Sequence, residues 1–286
     1  MTKWRRNLCP FKQIYSRVHM PHFSIITITY NSKAYLEETL KSVLGQDFTD
    51  FEYLLVDGGS TDGTLEMIEK YSAQDPRIRW SSEPDKGIAD AMNKGIRMAT
   101  GDVVAHLHSD DLYLPGALGK VAAAFQANPT AQWATGRVHF IDSAGRIKLT
   151  TDFKGPYTRK RLLGKNLIVH PATFVRRSVF DEVGLFDLGL KYAMDYDLWL
   201  RIVERYEALG LDEILACFRS HEDSLSSREL LKAVDEEFAI RKRYARDAGL
   251  FPAAAAELSY CREKMLVRFK LNDLLKRLKS RFREHC

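Results

Sequence analysis

Hydrophobic and polar positions in the first 130 residues switch regularly between two periods. Phe23-Ser24-Ile25-Ile26-Thr27-Ile28-Thr29 is a β-rich apolar run that begins after Pro21 and stops at Tyr30-Asn31-Ser32. Residues 33–45 then place Leu36, Leu40, Val43 and Leu44 at helical spacing and end at Gly45. The alternation continues with a strand over 51–56 closed by Asp57-Gly58-Gly59-Ser60, a helix over 64–71 and a short strand over 77–81. A helix over 88–99, a strand over 103–107 cut by His108-Ser109-Asp110-Asp111, and a helix over 115–127 follow. Strands and helices in this rhythm predict an α/β fold with a mostly parallel, Rossmann-like central sheet and helices on both faces. Beyond residue 130 the pattern is less regular. It predicts strands over 132–142, 168–175 (interrupted at Pro171) and 211–218, and a helix over 195–206. Helices over 226–250 and 255–282 form a C-terminal extension, and no internal repeat is present.

Composition changes this picture little, and charge changes it more. At 286 residues, 45% hydrophobic and 28% charged, the chain has the makeup of an ordinary globular protein, which excludes collagen-like and wholly disordered classes. No apolar run is long enough to span a bilayer, and the basic N-terminal residues lack the apolar stretch of a secretory signal. Cys9, Cys217, Cys261 and Cys286 lie far apart without a CxxC pair, so a reducing cytoplasm is expected rather than a disulfide scaffold or structural zinc. The net charge is +5, but residues 1–20 alone carry +5 and residues 262–286 carry nine bases against three acids. The body between them is therefore acidic and repels phosphate backbones, so no nucleic-acid partner is expected. In the tail, Leu271, Leu274, Leu275, Leu278 and Phe282 share one helical face, and Lys276, Arg277, Lys279, Arg281 and Arg283 fill the others. Such a helix either docks on an anionic membrane surface or packs on its own domain with solvated bases; both readings stand. The expected organisation is a basic segment over 1–20, a main domain over 21–227 and a helical region over 228–286.

Polar clusters gather where the predicted strands end, and open α/β sheets bind ligands at that edge. Thr29-Tyr30-Asn31, Asp57-Gly58-Gly59-Ser60 and His108-Ser109-Asp110-Asp111 are three of them; Glu83-Pro84-Asp85-Lys86-Gly87 is a fourth, opening a helix. Each alone suits an ordinary turn or helix cap. Asp110-Asp111 is the most informative, because adjacent carboxylates at the end of a buried strand repel each other and lose hydration. A hard divalent cation, Mn²⁺ or Mg²⁺, bound by few protein oxygens and bridging a diphosphate, is the economical compensation; an exposed acidic turn is the other reading.

IITITYN (25–31), VDGGSTDGT (56–64), EPDKGIADAMNKGI (83–96), GDVVAHLHSDDLYLP (101–115), HPATFVRRSVFDEVGLFD (170–187), MDYDLWLR (194–201) and FRSHEDSLS (218–226) together resemble family 2 glycosyltransferases of the GT-A fold. The likeness covers about residues 22 to 227, in order, and is nearest in kind to bacterial exopolysaccharide and lipopolysaccharide enzymes of the colanic acid type. It implies that Thr29, Tyr30 and Asn31 hold the nucleotide and that Asp57 recognises uracil or ribose. Many relatives carry a second acid directly after that one, where this chain has Gly58. Asp85 and Lys86 match a stretch that closes over the nucleotide. Asp110 would meet the ribose or sugar, Asp111 would bind the metal, and His221 matches a late histidine that completes metal or diphosphate binding in some members.

The resemblance also implies that Asp195 is the catalytic base, whereas residue chemistry alone favours a helix cap, with Asp197 as a first-turn acid. The implied reaction is an inverting, metal-dependent transfer of a sugar from a nucleotide-diphosphate sugar, a UDP-sugar by preference. The acceptor would be a hydroxyl of a saccharide or lipid-linked saccharide, in bacterial surface polysaccharide synthesis. The enzyme would sit in the cytoplasm, peripherally on the inner face of the cell membrane. Two other classes compete. A sugar nucleotidyltransferase would show a Gly-rich, basic phosphate loop after the first strand, and a non-catalytic nucleotide-sugar-binding protein would not need Asp110, Asp111 and Asp195 together.

Overall fold

Four consecutive strands make one half of the sheet; three are buried along nearly their whole length, the signature of parallel strands covered on each side, and the strand over 78–82 is the partly exposed edge. β1 (Phe23–Thr29), β2 (Phe51–Asp57), β3 (Ile78–Ser82) and β4 (Val103–His106) run parallel in the order β3-β2-β1-β4. Between and after them come α1 (Lys33–Leu44), α2 (Thr64–Ser72), α3 (Ile88–Met98), the short β5 (Leu112–Tyr113) and α4 (Ala117–Ala127). The second half contains β6 (Trp133–Ile141), β7 (Ile147–Thr150), α5 (Arg159–Gly164), β8 (Thr173–Arg176), α6 (Arg177–Val183), α7 (Met194–Val203), β9 (Leu209–Arg219) and α8 (Leu230–Asp247). The sheet order is β3-β2-β1-β4-β8-β6-β9-β5, with β7 paired to β6. β8 runs antiparallel to its neighbours β4 and β6, while β9 is parallel to β6. This computed structural model describes residues 22–153, 155–221, 224, 229–247, 260–261 and 264–265. The basic segment over 1–20 and, apart from Lys264 and Met265, the basic tail over 262–286 lie outside the described residues.

Alternate β1 residues serve two cores. Phe23 and Ile25 join Leu36, Leu40, Val43, Ile68, Leu118 and Phe125 on one face. Ile26 joins Met92, Ile96, Val179, Leu198 and Trp199 on the other. Each fully buried Leu, Ile or Phe contributes roughly 1.5–3 kcal/mol, so the two faces fix the register of β1. α3 approaches β1 so closely that a Cβ on Gly95 would lie 2.4 Å from Ile26 Cγ2.

Three differences from the expected elements have local causes. Pro171 cannot donate to a sheet ladder, so His170–Ala172 forms a 3₁₀ turn and the strand expected over 168–175 begins only at Thr173. The helix expected over 195–206 starts one residue earlier and ends at Val203. β5, β7, α5 and α6 occupy stretches without a readable period. Among the described residues no helix is long and apolar enough to cross a membrane.

Candidate active site

Parallel register aligns the strand ends. Thr29 stands opposite Asp57, and Asp57 opposite Ser82. Asp57 is fully buried, and its oxygens accept from Thr29 Oγ1 (2.9 Å), Ser60 Oγ (2.5 Å), Ser82 Oγ (2.7 Å) and the Gly59 and Ser60 N–H groups (3.0 Å each). Burial alone would raise its pKa, but these hydrogen bonds outweigh it and hold the carboxyl below the usual range. Thr29 and Asp57 thus shape the loop over 58–60 from inside the protein. Tyr30, by contrast, is 67% exposed at the sheet edge. Asn31 adopts a left-handed φ of 50°, its Oδ1 accepts from Thr61 N–H (2.9 Å), and its own N–H donates to Ser60 Oγ (2.8 Å). On the β3–α3 loop, Asp85 Oδ1 accepts from Gly87 N–H (2.8 Å), and the Lys86 side chain is exposed.

The β4 end carries the acid pair. Asp111 is 1% exposed; Oδ1 accepts from the Arg219 N–H (2.9 Å), and Oδ2 is buried without a partner among the described residues. Burial first, and then the charge of Asp110, push its pKa well above the ordinary carboxylate range. Asp110 Oδ2 lies 2.9 Å from His221 Nε2, a hydrogen bond that the imidazole N–H donates to the carboxylate. His221 packs against the Tyr35 ring, with centroids 4.9 Å apart. Ser109 Oγ bonds Ser32 Oγ (2.9 Å), tying this loop to the β1 end.

Arg219, which the sequence reading passed over, organises the cluster. Its 1%-exposed side chain donates to Asp110 O (2.9 Å), Ser143 O (3.2 Å) and Glu38 Oε2 (2.6 Å) and lies over the Tyr35 ring. The available signal was an arginine closing an apolar strand two residues before His221.

Asp195 sits in the first turn of α7, not at its cap, which is Ala193. Glu236 of α8 holds the lead-in to the helix, its carboxylate accepting the N–H groups of Lys191, Tyr192 and Ala193 at 2.7–3.2 Å. Asp195 Oδ1 accepts from Tyr196 N–H (2.7 Å), and Oδ2 is turned toward His170. The Asp195 side chain is 23% exposed, within reach of an incoming hydroxyl, yet burial pushes its pKa up to about 7, helped by the charges of Glu237 and Glu236. Asp197 points the other way. It is 1% exposed and binds Arg201 Nε (2.9 Å), Tyr244 OH (2.9 Å) and Arg243, fastening α8 to α7.

A histidine bridge joins Asp195 to the loop of the acid pair. His170 Nδ1 is 3.9 Å from Asp195 Oδ2, and its ring meets His108 (centroids 5.1 Å) and His106 (5.4 Å). Burial lowers the pKa of all three imidazoles, that of His106 to about 3. His108 lies two residues before Asp110, so His170 and His108 link Asp195 to the loop that carries the acid pair.

Among the described residues no group of three or more His, Cys, Asp or Glu side chains is preassembled around a metal ion. The donor set nevertheless fits a hard cation. Asp111 Oδ2 is a buried oxygen with nothing to bond, and the carboxylate of the adjacent Asp110 is already paired with His221, so a cation here would take few protein ligands and leave its other positions to diphosphate and water.

These strand-end acids lie along one edge of an α/β sheet, the edge at which such sheets bind ligands. The glycosyl transferase family 2 model matches residues 24–184, and the chain belongs to that family, with the GT-A fold. A PGL/p-HBAD biosynthesis glycosyltransferase of Mycobacterium bovis (strain BCG / Pasteur 1173P2) is 36% identical over 185 residues, 63% of this chain and 69% of that protein. Among solved structures, S. aureus TarS in complex with UDP-GlcNAc superposes with a TM-score of 0.61 at 24% identity, over 76% of this chain and 66% of that one. Mannosyltransferase PcManGT from Pyrobaculum calidifontis, in complex with GDP-Man and Mn²⁺, gives a TM-score of 0.60 at 20% identity, over 79% and 65%. This chain thus spans just under two thirds of either solved chain.

Proposed function

We propose that this glycosyltransferase moves a sugar from a UDP-sugar to a hydroxyl of a saccharide or lipid-linked saccharide, in a single inverting displacement, during bacterial surface glycan synthesis. The observation that carries the reading is Asp111 Oδ2, a buried carboxylate oxygen left without a partner beside Asp110 and His221. Asp110, Asp111 and His221 would hold Mn²⁺ or Mg²⁺, which supplies neutralisation of charge on the departing diphosphate. Tyr30 offers an exposed ring to the nucleobase, the Asn31 and Ser60 loops flank the ribose, and Lys86 reaches the donor as a point charge. Asp195 accepts the proton of the acceptor hydroxyl while its oxygen bonds the anomeric carbon and the bond from that carbon to the diphosphate breaks. The proton then passes from Asp195 to solvent. Arg219 and Glu236 position the two acidic centres through backbone contacts. The basic tail over 262–286 would bring the enzyme to an anionic membrane carrying a lipid-linked acceptor.

Calorimetry with UDP, with and without Mn²⁺, tests the donor half. In the full chain UDP affinity is expected to rise with Mn²⁺, and Asp111→Ala is expected to abolish that rise. An unchanged Mn²⁺ effect in the variant overturns the metal assignment. Because removing Asp111 also relieves a buried carboxylate, the melting temperature of the unliganded variant is expected not to fall, which separates loss of binding from loss of folding.

A further inference from the structure

We infer that Asp85, admitted by the missing side chain of Gly58, is the residue that reads the edge of the nucleobase. The inference rests on the nucleotide-donor reading above and deepens it.

Three acids border this part of the sheet edge. Asp57 has both oxygens occupied by protein donors. Asp62 is likewise occupied, by Lys33 N–H and by the N–H and hydroxyl of Thr64. Asp85 has Oδ1 fixed by Gly87 N–H at 2.8 Å, and among the described residues Oδ2 takes no partner. It is therefore the acid with an oriented acceptor to offer.

Its location identifies what it would accept from. A Cβ built on Gly58 would lie 2.5 Å from Asp85 Oδ2 and 3.4 Å from Tyr30 Cδ2. The free carboxylate oxygen and the edge of the exposed Tyr30 ring thus flank the same point. A base lying on Tyr30 would turn its rim toward Asp85. An anionic acceptor selects a rim that carries an N–H: the imide N3–H of uracil fits, whereas cytosine presents a lone pair at that position. A side chain at 58 would push the carboxylate from the place it holds, so Gly58 and Asp85 form one device. Gly58 does not have a left-handed φ, so what a side chain there would disturb is the position of Asp85 and not the backbone.

Calorimetry on the full chain with Mn²⁺, using UDP and CDP as probes, tests this. Asp85→Ala is expected to weaken UDP by about 10- to 100-fold and CDP little, which narrows the preference for UDP. Gly58→Asp alone is expected to weaken UDP comparably, because two carboxylates then compete for one space. The double variant Gly58→Asp/Asp85→Ala is expected to recover UDP affinity to within about fivefold of the parent, the acid having been returned from the other side. Unchanged UDP binding in Asp85→Ala, or a double variant no better than Asp85→Ala alone, overturns the proposal. Should Gly58→Asp fail to fold, the UDP and CDP affinities of Asp85→Ala decide alone. A parent protein that binds neither nucleotide overturns the donor reading itself, and this inference with it.

Discussion

Asp195→Asn is expected to lower the rate of sugar transfer by about a thousandfold while UDP affinity stays within a few-fold of the parent. Asparagine keeps the shape and the hydrogen bond from Tyr196 N–H (2.7 Å) but cannot take a proton. The pH dependence carries the sharper signature. Burial, with Glu237 and Glu236 on α8 adding their charges against the Tyr196 N–H hydrogen bond, raises the pKa of Asp195 to about 7. A base must be ionised, so kcat/KM of the parent should fall below pH 7 on one acidic limb, and the residual activity of Asp195→Asn should lack that limb. Stability should move in the opposite direction. An acid whose folded pKa is raised favours folding below its unfolded pKa of about 4, and that contribution is lost as pH rises through 7. Asparagine removes the penalty, so the melting temperature of the variant should exceed the parent's by a few degrees above pH 7, and the gap should close toward pH 4. Transfer retained within tenfold, or a variant less stable at every pH, overturns the assignment of Asp195 as base.

The parallel half of the fold was legible because its causes are local. Strands buried on both faces leave continuous apolar runs such as 23–29. A parallel sheet places their polar ends at one edge, which is why Asp57, Asp110 and Tyr30 could be grouped from sequence. Different surroundings for Asp195 and Asp197 could also be anticipated, since residues two apart on a helix do not share a face. The remainder depends on contacts that no period records. β5 is two residues long and exists because Leu112 and Tyr113 pair with Cys217 and Ala216 of β9. Arg219 reaches Asp111 from 108 residues away, and Glu236 holds the lead-in to α7 from 43 residues beyond Ala193. His170 stood within a recognised stretch, but its neighbours His106 and His108 meet it only across β4 and the turn before β8. Asp57 shows the converse limit. Its position at the sheet edge was readable, whereas the saturation of both its oxygens by interior donors was not.

Asp197→Ala is expected to cost about 3–5 kcal/mol, the largest stability loss among the substitutions considered, because it removes the anionic partner of two arginines in a buried network. Asp197 is 1% exposed; Arg201 loses its carboxylate and keeps only the carbonyls of Val183, Gly184 and Leu185, while Arg243 and Tyr244 lose their anchor on α7. For a body of this size the melting temperature should fall by roughly 10 °C. The effect should be directional as well as large. Ile240 is buried in the core cluster beside α7, so α8 should loosen as a unit, read as faster amide exchange over 230–247 with β1 and β2 unaffected. Loosening α8 also withdraws Glu236 from the N–H groups of 191–193, which set the start of α7 and hence the aim of Asp195. Transfer should therefore drop at temperatures where the variant is still folded, in kcat more than in UDP affinity, because the donor loops stand on the other half of the sheet. Asp197→Asn, which retains one acceptor for Tyr244 and Arg243, should fall between parent and alanine in both melting temperature and α8 exchange. An alanine variant that melts with the parent, or that loses UDP binding while α8 exchange is unchanged, would show that Asp197 does not fasten the C-terminal helix to the catalytic one.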